Sequence, residues 1–445
     1  MLGSVAIAAS ASIFVVLGPE AAGASRPYVG PEATAAVEDE PSATPADGAG
    51  PTTAEVAAQG ESPAGAEPVV APARRRGLPG PAKTPKFLRP LTLLGESLRL
   101  GGYLQPGFVH VNNTDFFPDD QDGFDFANAR VTGSGRHTVS GKLQIGFDFN
   151  FDVNAGNFSV RDALVSLIWR DGLVRFDIGQ LKQPSALSLL QYQWGLQFPF
   201  SPESRRIAFG RDQGARLSSS SWIRDKVFLS GAFMFANGEG GFRQRRNLDE
   251  KFQYTGRVEI GALSEVDLDD PDLENSRFGF VFGGYAGHTR SLGNGLGLED
   301  VGASETRTGG DVRMKFRGLS FRAEYLRGFR AANGQSPSLQ RYATNAQVGY
   351  LLPIPIALPR FEVVFRFQQF DVNTGLDGSE GEEYLVDNTA RRIYEPGLVT
   401  YLYGHHAKLV LSYQLTDLLE GPRVDTNGAP LIGDAFLAFV QVAWI

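Results

Sequence analysis

Ten cationic side chains are the most chemically suggestive residues of the chain: Lys142, Arg175, Lys182, Arg205, Arg206, Arg211, Arg216, Arg257, Arg313 and Lys315. An arginine fork donates two parallel hydrogen bonds to a carboxylate or phosphate, and a ring of such groups replaces part of an anion's hydration. The density is greatest over residues 203–257, where eleven Lys and Arg stand against six acids. Anion recognition is therefore the chemistry these types could perform. A plainer use is equally open: Arg175 with Asp177, and Arg322 with Glu324, have the spacing of pairs that hold a wall and screen one another.

Other chemistries find little support. Cysteine is absent, which removes disulfides, zinc knuckles and thiol catalysis. The five histidines include no His-Glu-x-x-His or other paired metal spacing, and no Ser–His spacing suggests a hydrolase. In PDDQDGFD at 118–125, Pro118 stands where a calcium loop needs its first carboxylate and Ala129 where it needs the closing glutamate. GNGLG at 293–297 lacks the strand–turn–helix setting of a nucleotide fingerprint. A net charge of −8 argues against nucleic acid as a partner. The expectation is a non-enzyme with neither cofactor nor metal.

The elements that must position the cations are long alternating strands. In VSGKLQIGFDFNF, residues 139–151, one register is apolar and the other polar, the pattern of a strand with one greasy and one wet face. Similar segments recur near 98–111, 124–133, 138–151, 158–170, 172–181, 211–221, 226–236, 251–262, 277–287, 306–317, 319–329, 340–351, 360–371, 394–403, 406–415 and 433–445. Short connections fall at 133–137, 170–172, 222–226, 317–320, 353–359 and 404–405. Long polar ones fall at 112–123, 182–210, 237–250, 288–305, 330–339, 372–393 and 416–432. The alternation predicts an all-β fold, a transmembrane antiparallel β-barrel of about sixteen strands. Two connections strain the scheme: 152–157 is short for a long-loop position, and 263–276 is long and acidic for a short-turn position.

Three regions are expected. Residues 1–24 read as a signal peptide, from the apolar run VAIAASASIFVVL and the small residues Ala22-Gly23-Ala24. Residues 25–94, rich in Ala and Pro with no aromatic between Tyr28 and Phe87, read as a disordered periplasmic tether. Residues 95–445 read as the barrel.

Specific strings then point to a family. FDFANARVTG at 124–133, FSVRDALVSLIWRDGLVRFDIGQ at 158–180, and Gly179-Gln180-Leu181-Lys182-Gln183-Pro184 resemble the phosphate-selective porin O and P family. Arg211-Asp212-Gln213-Gly214, KVFLSGAFMFANG at 226–238, YLYGHHAKLVLSYQ at 401–414 and the closing FVQVAWI add to the likeness. The resemblance implies a sixteen-stranded outer-membrane barrel, a homotrimer and an anion-conducting pore.

On that reading the Phe-rich registers, such as Phe278, Phe280 and Phe282 or Phe361, Val363, Phe365 and Phe367, meet lipid. Lys142, Arg175, Arg257, Arg313 and Lys315, with Arg317, Arg322, Arg360 and Arg366, belong to the lumen register. Lys182, Arg205, Arg206, Arg211 and Arg216 belong to the basic cluster that runs from Lys182 through Arg257, and the 182–210 connection folds inward to narrow the pore. The expected function is passive diffusion of small hydrophilic solutes with anion preference, phosphate among the candidates. The expected surroundings are outer-membrane lipid and lipopolysaccharide. The alternatives are a non-selective or carbohydrate-type pore, or a non-transporting structural or adhesin barrel.

Overall fold

The computed structural model describes residues 85, 89–93, 98–111, 123–154, 157–223, 226–238, 251–290, 304–331, 339–354, 358–374, 390–419 and 434–444. The expected signal peptide, nearly all of the tether, and the strings at 118–122 and 293–297 lie outside these residues. No helix among them is long and apolar enough to cross a membrane.

Period-two patterning becomes strand after strand: β1 (Leu91–Leu93), β2 (Leu98–Val111), β3 (Gly123–Ser140), β4 (Leu143–Asn154), β5 (Asn157–Trp169), β6 (Val174–Lys182), β7 (Arg211–Ile223), β8 (Val227–Ala236) and β9 (Gln253–Ala262). There follow β10 (Gly279–Thr289), β11 (Ser304–Phe316), β12 (Leu319–Ala331), β13 (Leu339–Leu351), β14 (Arg360–Thr374), β15 (Arg391–Tyr401), β16 (Ala407–Leu418) and β17 (Ala435–Trp444). From β2 onward each strand pairs antiparallel with the next. β17 then closes on β2, from Ala435 opposite Val111 to Trp444 opposite Gly102. The result is a closed sixteen-stranded antiparallel barrel. The short β1 pairs with Leu98–Leu100, extending the seam where β17 stops. Closure leaves the long strands without a free edge, the condition for a sheet bounded by hydrocarbon.

The outer surface is apolar. Phe147, Ile178, Leu217, Phe233, Val258, Ile260, Phe282, Val363 and Phe365 stand exposed on the wall, while neighbours of opposite parity such as Asp177, Arg257, Glu362 and Arg366 are buried inside. An apolar surface of this extent is a liability in water and is what a lipid-facing wall requires. Val258 is 69% exposed at mid-strand. Val258→Arg is expected to cost about 2–4 kcal/mol of folding into a bilayer, read as a shift of the urea midpoint in vesicles; an unchanged midpoint would contradict the outward assignment.

One expected turn is displaced. Residues 133–137 are strand, and β3 runs on to Ser140 before a two-residue turn at Gly141–Lys142. The stretch 138–151 is therefore two pieces, with β4 beginning at Leu143. The glycines that suggested a turn have another purpose: Gly133 pairs with Phe149, and the Phe149 ring occupies the space a side chain at 133 would take. Phe147 and Phe149 keep their expected outward face.

The barrel's inside is unevenly filled. The connection from Gln183 to Gly210, with the short helices α1 (Leu187–Leu190) and α2 (Ser204–Ile207), folds into the lumen. Ala186, Leu189, Ile207, Ala208 and Phe209 pack on Tyr285, Leu326, Ala343 and Phe370. Phe198 packs on Leu351, Val364, Val399, Tyr401 and Val410. These inward apolar residues break the polar-inside rule along β10–β16 because they form the seat of the loop. Open space is left beside β2–β9.

Candidate functional site

The open lumen has a volume of about 830 Å³. Strand alternation puts Arg130 and Arg136 on one face of β3, Arg175 on β6 and Arg216 on β7 toward this space, and Arg211, the first residue of β7 and of opposite parity, also lines it. Nine basic residues line it: those five with Arg99, Lys182, Arg257 and Arg313. Five acids do so, namely Asp148, Asp162, Glu259, Glu265 and Asp267.

Ion pairing is extensive. Asp177 is fully buried in the wall and accepts from Arg175 Nε at 2.6 Å, Arg216 Nη2 at 2.7 Å and Ser166 Oγ at 2.6 Å. Its two arginines keep 26% and 19% of their side chains exposed to the lumen. Asp152 likewise lies behind Arg161, which it holds at 2.6 Å. Arg211 is bidentate on Asp162, at 2.8 and 3.2 Å. At Asp177 and Asp152 the carboxylate lies behind and the guanidinium in front, whereas in Arg175–Asp148, Arg211–Asp162 and Arg313–Glu259 the carboxylate is the more exposed partner, so the net charge of the lining comes from the excess of bases.

The loop completes the narrow region. Lys182 Nζ donates to the carbonyls of Leu190 and Gln191 at 3.1 and 2.8 Å and lies 4.7 Å from the Tyr192 ring centre. Arg216 Nη1 donates to the Lys182 carbonyl at 3.1 Å. Lys182 thus stands where β6 turns into the loop, beside Arg211 and Arg216, and without a carboxylate among its hydrogen-bond acceptors.

The closed sixteen-stranded barrel has known counterparts. The fold is that of the outer-membrane porins. An anion-selective porin from Comamonas acidovorans superposes with a TM-score of 0.52 at 12% identity, covering 78% of this chain and 99% of that one. OmpF of Salmonella typhi, solved with daunomycin, gives 0.51 at 13% identity over 79% and 100%. OmpT, an outer-membrane protein of Vibrio cholerae in its trimer form, gives 0.51 at 11% over 78% and 99%. No protein-family model matches the chain, and none of the curated proteins matches it in sequence.

Within this porin fold the ten expected cations separate into groups. Arg175, Lys182, Arg211 and Arg216 converge on the open lumen. Arg257, Arg313 and Lys315 lie at the seam between open and filled halves and are held in place. Arg257 spans Glu259, Asp311 and the Ser185 carbonyl at 2.8–2.9 Å; Arg313 is 3.1 Å from Glu259, and Lys315 is 2.6 Å from Asp267. Arg205 sits on α2 and bonds Ser201 Oγ at 2.8 Å. Arg206 is also on α2, with its side chain outside the described set. Lys142 is displaced from the expected lining to the exposed turn at the barrel end, as a consequence of the shifted β3–β4 turn. Arg317, expected in the lumen register, is likewise in an exposed turn.

Sequence reading missed Arg99, Arg130 and Arg136 as lining residues. Arg136 was inside the segment read as a turn; continuing the β3 alternation through Gly133 and Gly135 would have found it. It also missed the polar cluster beneath the loop, where Gln191, Gln197, Gln347 and Arg322 meet Asp270. The available signal was the anomalous length and acidity of residues 263–276.

Asp269, in that same turn, is pushed up to about 6, first by burial and then by Asp267 beside it, with Asp270 adding to the effect against the pull of Lys315 and Lys408. His405, 3.4 Å away, is held well below its ordinary value by burial and by Lys408 and Lys315, so it stays neutral in this range. A carboxyl raised in the folded state binds its proton more tightly there, so its contribution to stability grows as pH falls from neutrality through about 6. The Asp270 amide, bonded to the Gly195 carbonyl at 3.0 Å, should therefore be better protected from hydrogen exchange at acid than at neutral pH. Asp269→Asn should abolish the difference; a persisting difference would assign it elsewhere.

Proposed function

We propose that the chain is an outer-membrane porin that lets small hydrophilic solutes diffuse passively, with a preference for anions. The observation that carries the reading is the basic excess of the lining: nine basic side chains against five acidic ones around a space of about 830 Å³. A space of this size admits water and small solutes. Selectivity then comes from width and charge, with neither cofactor nor bond-making step.

Several finer readings go with this proposal. Short turns at one barrel end and long connections at the other favour a periplasmic location for the former, with the N-terminal segment on that side after removal of a signal peptide. The apolar wall suits outer-membrane lipid, with lipopolysaccharide outside. A homotrimer is favoured by the family-like strings and by the trimeric OmpT among proteins of the same fold. Phosphate is the solute that the strings at 179–184 and 211–214 suggest, and arginine forks suit it chemically.

Proteoliposome swelling is the test. Purified protein should admit small sugars and carboxylates with rates that fall steeply with solute size. Impermeable vesicles with correctly folded protein would favour a non-transporting barrel. Inorganic phosphate titrated against chloride current should depress it if phosphate dwells at the lining; an unaffected current would restrict the proposal to general anion preference.

A further inference from the structure

The inward loop of a pore must be held against thermal motion, and here its seat on the wall is joined by a contact from the opposite end of the barrel. From Gln183 to Pro202 the loop carries no charged residue. The connection between β9 and β10, residues 263–278, has six acids and one base and sits at the short-turn end, where two residues would suffice. It rises into the lumen and meets the loop.

Asp270 is the centre of the meeting. It is fully buried within the lumen, and both of its oxygens are shared. Oδ1 accepts from Gln191 Nε2 of the loop and Arg322 Nη1 of the wall, each at 2.6 Å. Oδ2 accepts from the Gln197 amide of the loop and Gln347 Nε2 of the wall, each at 3.0 Å. The Asp270 amide donates to the Gly195 carbonyl at 3.0 Å, and Gln191 Nε2 also reaches the Leu268 carbonyl at 2.8 Å. Two glycines make the approach possible. A β-carbon at Gly195 would lie 3.0 Å from Asp269 Cγ, and one at Gly349 would strike the Gln197 amide. The exposed side of the turn, Glu265 and Asp267, borders the open channel.

We infer that residues 263–278 form a second constriction element, and that Asp270 is the positioning residue through which this turn fixes the loop and sets the pore's width from the short-turn end. The inference rests on reading the lumen as a conducting pore. A buried carboxylate that accepts four hydrogen bonds, two from a mobile type of element and two from a rigid wall, works as a four-way tie. Its loss frees the loop tip, and loss of the whole turn also opens the space that it occupies. Two different consequences follow: Asp270→Ala lets the pore fluctuate, while shortening the turn widens it.

The test compares single-channel conductance and solute size limit in the full-length protein. Replacement of 264–277 by an Asn-Gly turn should raise conductance about twofold and admit larger sugars, with heat-modifiable gel mobility confirming a folded barrel. Gly195→Val, which removes no charge, should raise conductance noise and the size limit in the same direction. A merely structural role would lower the unfolding temperature of these variants with conductance unchanged, and that result would overturn the inference. Because the chain has no cysteine, Gly195→Cys with Asp269→Cys adds an independent readout: the β-carbon at 195 lies 3.5 Å from Asp269 Cα, within disulfide reach. Oxidation should crosslink turn to loop; failure to crosslink in a folded barrel would refute the docking itself. Absent conductance in the unaltered protein, together with a formed crosslink, would refute the pore reading and leave the docking intact.

Discussion

Glu395→Ala is expected to destabilise the folded barrel by about 3–5 kcal/mol, the usual consequence of leaving a buried charge without its partner. Glu395 and Arg366 are both buried beneath the loop, with Arg366 Nε 2.9 Å from Glu395 Oε2 and Ser412 Oγ 3.0 Å from Oε1. The same guanidinium reaches the loop, donating to the Phe200 carbonyl at 2.9 Å and lying 4.5 Å from the Phe198 ring centre. Removing the carboxylate therefore leaves Arg366 unpaired where water cannot readily reach it, and it disturbs the loop's seat. Glu395→Gln keeps an acceptor for the fork and should cost less than half as much. The urea midpoint for folding into vesicles checks both; equal, small effects would mean that Arg366 escapes to water and that the seat is looser than its packing indicates.

Lys182→Glu is expected to reduce the anion-to-cation permeability ratio about tenfold. A unit charge roughly 12 Å from a permeating ion in water is worth about 0.35 kcal/mol; charge reversal doubles that, and the opposite sign of its effect on anion and cation doubles the change in their ratio again. Lys182→Gln should give about half the free-energy change, roughly threefold, because a neutral amide can still serve the Leu190 and Gln191 carbonyls. The choice of Lys182 matters. Neutralising Arg175 or Arg216 would strip a partner from the buried Asp177 and confound selectivity with stability. Lys182 is instead anchored by carbonyls, so its charge can be changed without stranding an acid. Both effects should shrink as salt rises from 0.1 to 1 M, where the screening length falls to about 3 Å.

The strands were legible because a two-faced wall imposes period two over ten or more residues, and little else does. The sixteen segments expected from alternation all exist, most with ends within two or three residues. The failure at 133–137 has a local cause. Gly-Ser-Gly is turn chemistry in isolation, but in this wall a phenyl ring across the neighbouring strand occupies the space above Gly133. Lys142 was misplaced by the same error, since moving the turn moved it off the wall.

The site was legible in part. Alternation placed Arg175, Arg257 and Arg313 inside, and the inward folding of the 182–210 connection followed from its length and position. Alternation carries no information on which inward charges face water and which lie under the loop. Arg366 and Arg175 share the same pattern, yet one is sealed beneath Phe198 and the other borders the channel. The inward apolar residues Val364, Val399 and Leu326 mark the covered half, but only once a loop is known to cover it. Asp270 was hidden for a different reason: its four partners come from residues 191, 197, 322 and 347, far apart in the chain and joined by folding alone.

The open lumen, lined by nine basic and five acidic side chains, should favour anions over cations. The reversal potential of a single channel in a tenfold potassium chloride gradient tests it most directly. Chloride should be the more permeant ion and set the sign of the potential, which should move toward zero in Lys182→Glu. A potential of the opposite sign in the unaltered protein, with potassium favoured, would contradict it.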